Sequence, residues 1–242
     1  MNYKIILEYD GTDYHGFQIQ LQLPTVQLAL ENAIARLGTR ESPIYAAGRT
    51  DTGVHARGQV ISFRGSMKPE IRRLPSALNA FLPGDIVARD CSEEDDSFNA
   101  RRSALAREYI YYIHLSRFPS PFNRRFTYHC DSTLDLENMA SALEMTVGKR
   151  DFAAFARSER GKTTVREVQE AGIFAKGDIV AIQVRANAFI WMMMRMLCGS
   201  LLEVGRGKWS IDRFHEALES CDNSNSAAAL PPHGLVLEQV HY

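Results

Sequence analysis

Gly48-Arg49-Thr50-Asp51-Thr52-Gly53-Val54-His55-Ala56 is the stretch on which the reading of this chain turns. Two glycines frame Asp51, small hydroxyl residues stand at 50 and 52, and ionisable groups stand at 49, 51 and 55. Glycine lets the backbone turn sharply, so a short aspartate can project from such a loop into a cleft. The segment lies between two strand-like stretches, Ile44–Ala47 and Gln59–Phe63. Loops held by a sheet are frequent places for chemistry. Arg49 and Asp51 are close enough in sequence to pair, and an arginine beside a carboxylate keeps it ionised and nucleophilic. Taken alone, the same residues also suit an Asp-Thr-Gly turn with a surface salt bridge, so the rest of the chain has to decide.

On the N-terminal side, Tyr3–Tyr9 reads as a strand ended by the turn dipeptide Asp10-Gly11. Val26, Ala29, Leu30, Ala33, Ile34 and Leu37 follow the helical period, with Thr25 placed to cap and Gly38 to stop. On the C-terminal side, a helix starts near Pro75, and Ile86–Cys91 and Arg107–Ile113 read as strands. Leu136, Met139, Ala140, Leu143 and Val147 mark an amphipathic helix closed by Gly148. Val165–Ala175 and Ile179–Ala186 flank Lys176-Gly177-Asp178, a hairpin signal. Ile190–Glu203 is a helix apolar nearly all round, which predicts burial. Ile211–Ser220 is a polar-faced helix, and Gly234–Val240 is the last strand. Strands and helices mix irregularly, which predicts an α+β fold with a largely antiparallel central sheet flanked by helices. Each half runs strand, helix and further strands, so two similar halves are expected, 1–104 carrying the Asp51 loop and 105–242 carrying the rest.

The 242 residues suffice for a sizeable core, and 45% hydrophobic with 24% charged is ordinary globular composition. The four cysteines, Cys91, Cys130, Cys198 and Cys221, form no CxxC pair, so neither a zinc site nor a disulfide framework is expected. Scattered free cysteines and the absence of a signal-peptide pattern point to a cytoplasmic setting. The late apolar helix is too short for a membrane span, and Arg195 at its centre would cost roughly 2.5–3.5 kcal/mol on insertion. In a soluble core the same arginine needs a partner. The net charge is −1, yet residues 49–73 carry six basic groups against two acidic, and residues 101–125 carry six arginines against Glu108 alone. A basic face on a near-neutral chain is compatible with phosphate contacts.

The nine-residue stretch resembles the signature of the tRNA pseudouridine synthase A family, which usually reads GRTDAGVHA. Further blocks match in order. Tyr9-Asp10-Gly11-Thr12 with Gly16-Phe17-Gln18 resembles the family's opening strand and turn, and Phe98-Asn99-Ala100-Arg101 with Arg107-Glu108-Tyr109-Ile110-Tyr111 its central strand. Asp151-Phe152 with Phe155, Phe189-Ile190-Trp191 through Arg195 and Leu201–Lys208, and Pro232-His233-Gly234-Leu235 into Tyr242 resemble later segments. The resemblance covers nearly the whole chain.

What it implies is a pseudouridine synthase fold and an isomerase acting on the anticodon stem–loop of tRNA, at positions 38–40. Asp51 aligns with the family's catalytic aspartate and would attack the uridine at C6 of the base or C1′ of the ribose. Tyr109 aligns with the active-site tyrosine that packs on the flipped base, and Arg49 and Arg195 align with active-site arginines, Arg195 as charge partner of the aspartate. No cofactor and no metal are implied, and a homodimer is. The chain departs from the pattern at Thr52, at Phe17, at Met192, Met193 and Met196, and over Ala227–Pro232. Two rivals remain to be weighed. A non-catalytic RNA-binding protein of the same fold keeps every structural expectation. An aspartic protease is opposed by the single Asp-Thr-Gly copy and by the helices.

Overall fold

Tyr3, Ile5, Leu7 and Tyr9 are buried along the first strand, β1 (Asn2–Tyr9), while Lys4, Ile6 and Glu8 are only partly covered. This is the two-residue period of a strand with one face on the core. In the computed structural model, which describes residues 1–157 and 161–242, the chain continues through α1 (Val26–Leu37), β2 (Gly38–Arg40), β3 (Tyr45–Ala46), β4 (His55–Met67), α2 (Leu74–Asn79) and β5 (Ile86–Glu94). There follow β6 (Ala106–Leu115), β7 (Tyr128–Cys130), α3 (Leu136–Glu144), β8 (Gly148–Asp151), β9 (Val165–Lys176), β10 (Ile179–Ala186), α4 (Met193–Gly205), α5 (Ile211–Glu219) and β11 (Leu235–His241). The described residues form two units, Met1–Arg107 with Val236–Tyr242, and Glu108–Leu235.

In the first unit the strand order is β5-β1-β4-β11. β1 runs antiparallel to both β4 and β5, β2 and β3 pair antiparallel with β4, and β11 lies parallel to β4. The Thr25 hydroxyl accepts the Leu28 N–H and starts α1, which buries Val26, Leu30, Ala33, Ile34 and Leu37. Each such valine, leucine or isoleucine side chain contributes about 1.5–3 kcal/mol on burial. β4 is far longer than the Gln59–Phe63 stretch expected and begins inside the Asp51 segment, at His55. The polar residues Arg57 and Gly58 hide that start from a reading by alternation.

In the second unit the order is β6-β10-β9-β8, with β7 parallel to β6 and β9 antiparallel to both its neighbours. The hairpin is where the sequence places it: Ile179 faces Lys176 across Gly177-Asp178, and Gly177 has φ +61°. Val180, Ile182 and Val184 are buried along one face of β10. Within α4 every residue except Arg195 and Glu203 is buried, in keeping with its apolar surface. The helix starts three residues later than its apolar run, because Met192 sits in the left-handed region at φ 64°, ψ 2°, which a right-handed helix cannot include. Asp135 caps α3 and Ser210 caps α5 through their side chains. The α+β expectation with mostly antiparallel strands holds. Among the described residues no helix is long and apolar enough to cross a membrane, and no group of three His, Cys, Asp or Glu could hold a metal ion.

Candidate active site

Asp51 is half-buried on the loop that leads into β4, and the first unit holds that loop from several sides. Tyr9, the last inward-facing residue of β1, places its hydroxyl 2.7 Å from the Thr50 hydroxyl. The Gln59 side-chain amide donates to the Tyr9 oxygen at 3.3 Å and to the Gly48 carbonyl at 2.6 Å. Burial pushes the Tyr9 hydroxyl up to about 12, against the pull of the Thr50 and Gln59 hydrogen bonds. On the other side, the Phe17 N–H donates to the Thr50 carbonyl at 3.0 Å and the Gly53 N–H to the Tyr14 carbonyl at 3.3 Å. The Val54 N–H closes a turn on the Asp51 carbonyl at 3.1 Å. Gly16 has φ +85°, and a Cβ there would come within 2.7 Å of the Thr50 carbonyl oxygen; a Cβ at Gly11 would come within 2.0 Å of the Val54 oxygen. The segment between β1 and α1 thus lies directly against the backbone of the Asp51 loop.

His55 is buried, and its Nδ1 accepts the Gly11 N–H at 2.9 Å. Asp10 Oδ1 stands 3.1 Å from the same nitrogen, a contact that would be an ion pair only with a proton on Nδ1. The amide proton of Gly11 is permanent, so Nδ1 is the acceptor. Asp10 Oδ1 meanwhile accepts from the Thr12 N–H at 3.0 Å and the Thr12 hydroxyl at 2.6 Å. His55 therefore braces the loop. Arg49, by contrast, is exposed, and among the described residues its guanidinium has no hydrogen-bond or ion-pair partner.

The second unit carries Tyr109 and Arg195. Tyr109, Tyr111 and Ile113 are buried on one face of β6. The Tyr109 ring meets Phe189 edge-on, with centroids 4.8 Å apart. Arg195, on α4, donates from Nε to the Leu230 carbonyl at 2.7 Å, while the Leu230 N–H donates back to the Arg195 carbonyl at 3.0 Å. The Tyr111 hydroxyl donates to the next carbonyl, Pro231, at 2.7 Å. Burial raises the Tyr111 hydroxyl above its ordinary range, with the Arg195 charge opposing. The segment Leu230–Pro231 thus ties the inner face of β6 to the first turn of α4. Beside it opens a cleft of about 260 Å³ lined by Arg157, Met192, Met196, Asn223, Ser226 and Ala227–Ala229.

The sequence model of tRNA pseudouridine synthases matches residues 5–101 and 142–242. The chain belongs to the tRNA pseudouridine synthase family. It is similar throughout its length to tRNA pseudouridine synthase A of Thermoanaerobacter sp. (strain X514), 39% identical over 100% of this chain and 99% of that protein. The enzyme of that name from Citrifermentans bemidjiense is 39% identical over 100% of this chain and 97% of its own, and that from Acetivibrio thermocellus is 39% identical over 100% and 99%. Among solved structures, a chain of a Cbf5-Nop10-Gar1 complex aligns over 83% of this chain and 45% of its own, at 14% identity and a TM-score of 0.35.

Met192, Met196 and Ala227–Ala229, which depart from the family pattern, come together around a cleft beside Leu230. Nothing in their spacing foretells that meeting. Tyr9 and Gln59 also escape sequence reasoning, because a tyrosine or glutamine inside a strand carries no local mark of what its side chain touches. Arg107 is a correction to the basic face. It is buried, and its guanidinium donates to the carbonyls of Ala47 (3.0 and 2.8 Å), Arg101 (2.6 Å) and Ala104 (3.2 Å). It fastens backbone and is not offered to phosphate, whereas Arg101 and Arg102 are exposed.

Proposed function

We propose that this chain, an isomerase of the tRNA pseudouridine synthase family, converts uridine to pseudouridine in the anticodon stem–loop of tRNA, at positions 38–40, with Asp51 as nucleophile. The observation that carries the reading is the Asp51 loop itself: a family signature in which the carboxylate is half-buried while Gln59 and Phe17 hold the backbone, Tyr9 the Thr50 hydroxyl and Gly11 the His55 ring. Uridine and pseudouridine are isomers. The bond from C1′ to N1 breaks, the base turns, a bond from C1′ to C5 forms, and the proton lost at C5 is balanced by one gained at N1. No co-reactant enters. Asp51 attacks C6 or C1′ to hold the fragments in one site while the base turns.

The target uridine must leave its stack, at a cost of a few kcal/mol. Tyr109 receives the flipped base, and stacking there returns roughly 1–3 kcal/mol. Arg49, exposed and without a partner among the described residues, suits a phosphate or the gap left by the base. Arg195 brings a fixed positive charge to the reacting nucleotide. A cytoplasmic homodimer is the assembly that goes with this reading. The test is a pseudouridine map of unmodified tRNA by carbodiimide-dependent primer extension, with the native chain and Asp51→Ala. The native chain gives stops at positions 38–40, and Asp51→Ala binds tRNA without product. Turnover by a clean Asp51→Ala preparation rejects the nucleophile. Binding by the native chain without any product favours a non-catalytic RNA-binding protein.

A further inference from the structure

Residues 116–127 join the parallel strands β6 and β7, and they carry Arg117-Phe118-Pro119-Ser120-Pro121-Phe122-Asn123-Arg124-Arg125-Phe126. Phe118 is 69% exposed and Phe122 90% exposed. Exposed rings of this size on a disordered tail would mean little, but this segment is built. The Ser120 hydroxyl accepts the Phe122 N–H at 3.2 Å, and the Ser120 carbonyl accepts the N–H groups of Asn123 and Arg124 at 3.3 and 3.0 Å. The Asn123 carbonyl accepts from the N–H groups of Phe126 and Thr127 at 2.9 and 3.0 Å and from the Thr127 hydroxyl at 3.0 Å. At its foot the Ser116 N–H donates to the Cys130 carbonyl at 3.1 Å, and Pro119 and Pro121 stiffen the middle. The charge is one-sided: no acidic residue occurs between Glu108 and Asp131, while Arg117, Arg124 and Arg125 are all exposed. The Arg117 guanidinium lies 5.1 Å from the centre of the Phe118 ring.

Preordered rings interleaved with arginines match a strand of unpaired nucleotides. Every base offers a face for stacking, and guanidinium groups hold the phosphates between. We propose that the loop 116–127 is an RNA-docking surface, on which Phe118 and Phe122 stack against unpaired bases of the tRNA and Arg117 and Arg124 hold its backbone. The inference rests on the reading of tRNA as substrate and adds a second point of contact to it. Because the loop is ordered before binding, little entropy is lost when it docks.

The test compares the native chain with Phe118→Ala/Phe122→Ala and with Phe122→Trp for binding to an unmodified full-length tRNA transcript. The double variant raises Kd about tenfold for each ring removed, with an unchanged thermal midpoint because both rings are exposed. Phe122→Trp keeps the native Kd, and its fluorescence is quenched by the RNA. Arg124→Ala lowers the slope of log K against log salt by about one. A benzophenone amino acid in place of Phe122 crosslinks to an unpaired nucleotide. Unchanged Kd in the double variant, no quenching, or a crosslink to a second copy of the protein overturns the proposal. If the native chain binds tRNA but makes no pseudouridine, the catalytic reading falls and the loop comparison still stands. If it makes pseudouridine and the double variant binds as well as the native chain, only the loop assignment falls.

Discussion

The Tyr9 hydroxyl stands 2.7 Å from the hydroxyl of Thr50, so the last inward-facing residue of the first strand is joined to the residue just before Asp51. Tyr9 is a core residue by position and a site residue by what it holds. The strand is anchored on both edges, by β4 and by β5, so its end is a rigid reference for the loop. The nucleophile proposed at Asp51 has to stay within about 0.5 Å of its working position. A loop bonded to a two-sided strand meets that demand better than a free turn.

Tyr9→Phe keeps the ring and removes the hydroxyl. The Gln59 amide still reaches Gly48, but the buried Thr50 hydroxyl loses its partner. Stability drops by about 1–2 kcal/mol in urea unfolding. Single-turnover pseudouridine formation slows about tenfold, equal to ~1.4 kcal/mol on the barrier, while tRNA affinity stays within twofold. An unchanged rate would show that the Thr50 bond does not position Asp51.

Alkaline pH loosens the fold through the same residue. The folded state holds the Tyr9 proton up to about 12 because of burial, whereas the unfolded chain releases it near 10. Between those values the unfolded state binds fewer protons, so stability falls as pH rises, by about 1.4 kcal/mol per pH unit for this one group. Thermal unfolding between pH 9 and pH 11.5 reads the slope. Tyr9→Phe has the shallower one, and equal slopes would contradict the burial argument.

Gly16→Ala meets two obstacles, a backbone at φ +85° and the Thr50 carbonyl oxygen 2.7 Å from the new Cβ. Stability falls by about 1–3 kcal/mol, and the displaced Thr50 takes activity with it. Gly84→Ala is the control, since a Cβ there has nothing within 4 Å, and its effect stays within about 0.5 kcal/mol. Both are measured by thermal midpoint and by pseudouridine yield; similar effects from the two would mean that the contact at Thr50 is not tight.

Arg195→Lys retains the charge and loses the planar donor that meets the Leu230 carbonyl at 2.7 Å. A lysine ammonium cannot reproduce the planar geometry of a guanidinium that donates from Nε. The rate of pseudouridine formation falls at least about tenfold, or ~1.4 kcal/mol, with the far-ultraviolet spectrum unchanged. Full activity in Arg195→Lys would reduce the role of this side chain to charge alone.

Several elements are legible in the sequence because a local cause suffices. Thr25 and the period of Val26, Leu30, Ala33 and Ile34 are enough for α1, and Gly177-Asp178 is enough for the β9–β10 hairpin. Others are not. Met192 belongs to an apolar run that reads as helix, yet its backbone lies in the left-handed region at φ 64°, ψ 2°. β2, β7 and β8 have three or four residues each, too few to show alternation, and exist because a longer partner lies alongside. Arg107 reads as part of a basic face and is a buried fastener of Ala47, Arg101 and Ala104.

The sequence by itself determined the family, the α+β class and Asp51 as the residue to watch, because these depend on residue types in a fixed order along one chain. Only the tertiary structure decided how the Asp51 loop is held: by a hydroxyl from β1, an amide from Gln59, the bare backbone of Gly11 and Gly16, and the Nδ1 of His55. It also decided that β11, more than 160 residues beyond β4 in the chain, lies parallel to β4 in the first unit. Hydrogen bonds and close packing act over a few ångströms of space, and sequence separation says nothing of which distant groups folding will bring within that range.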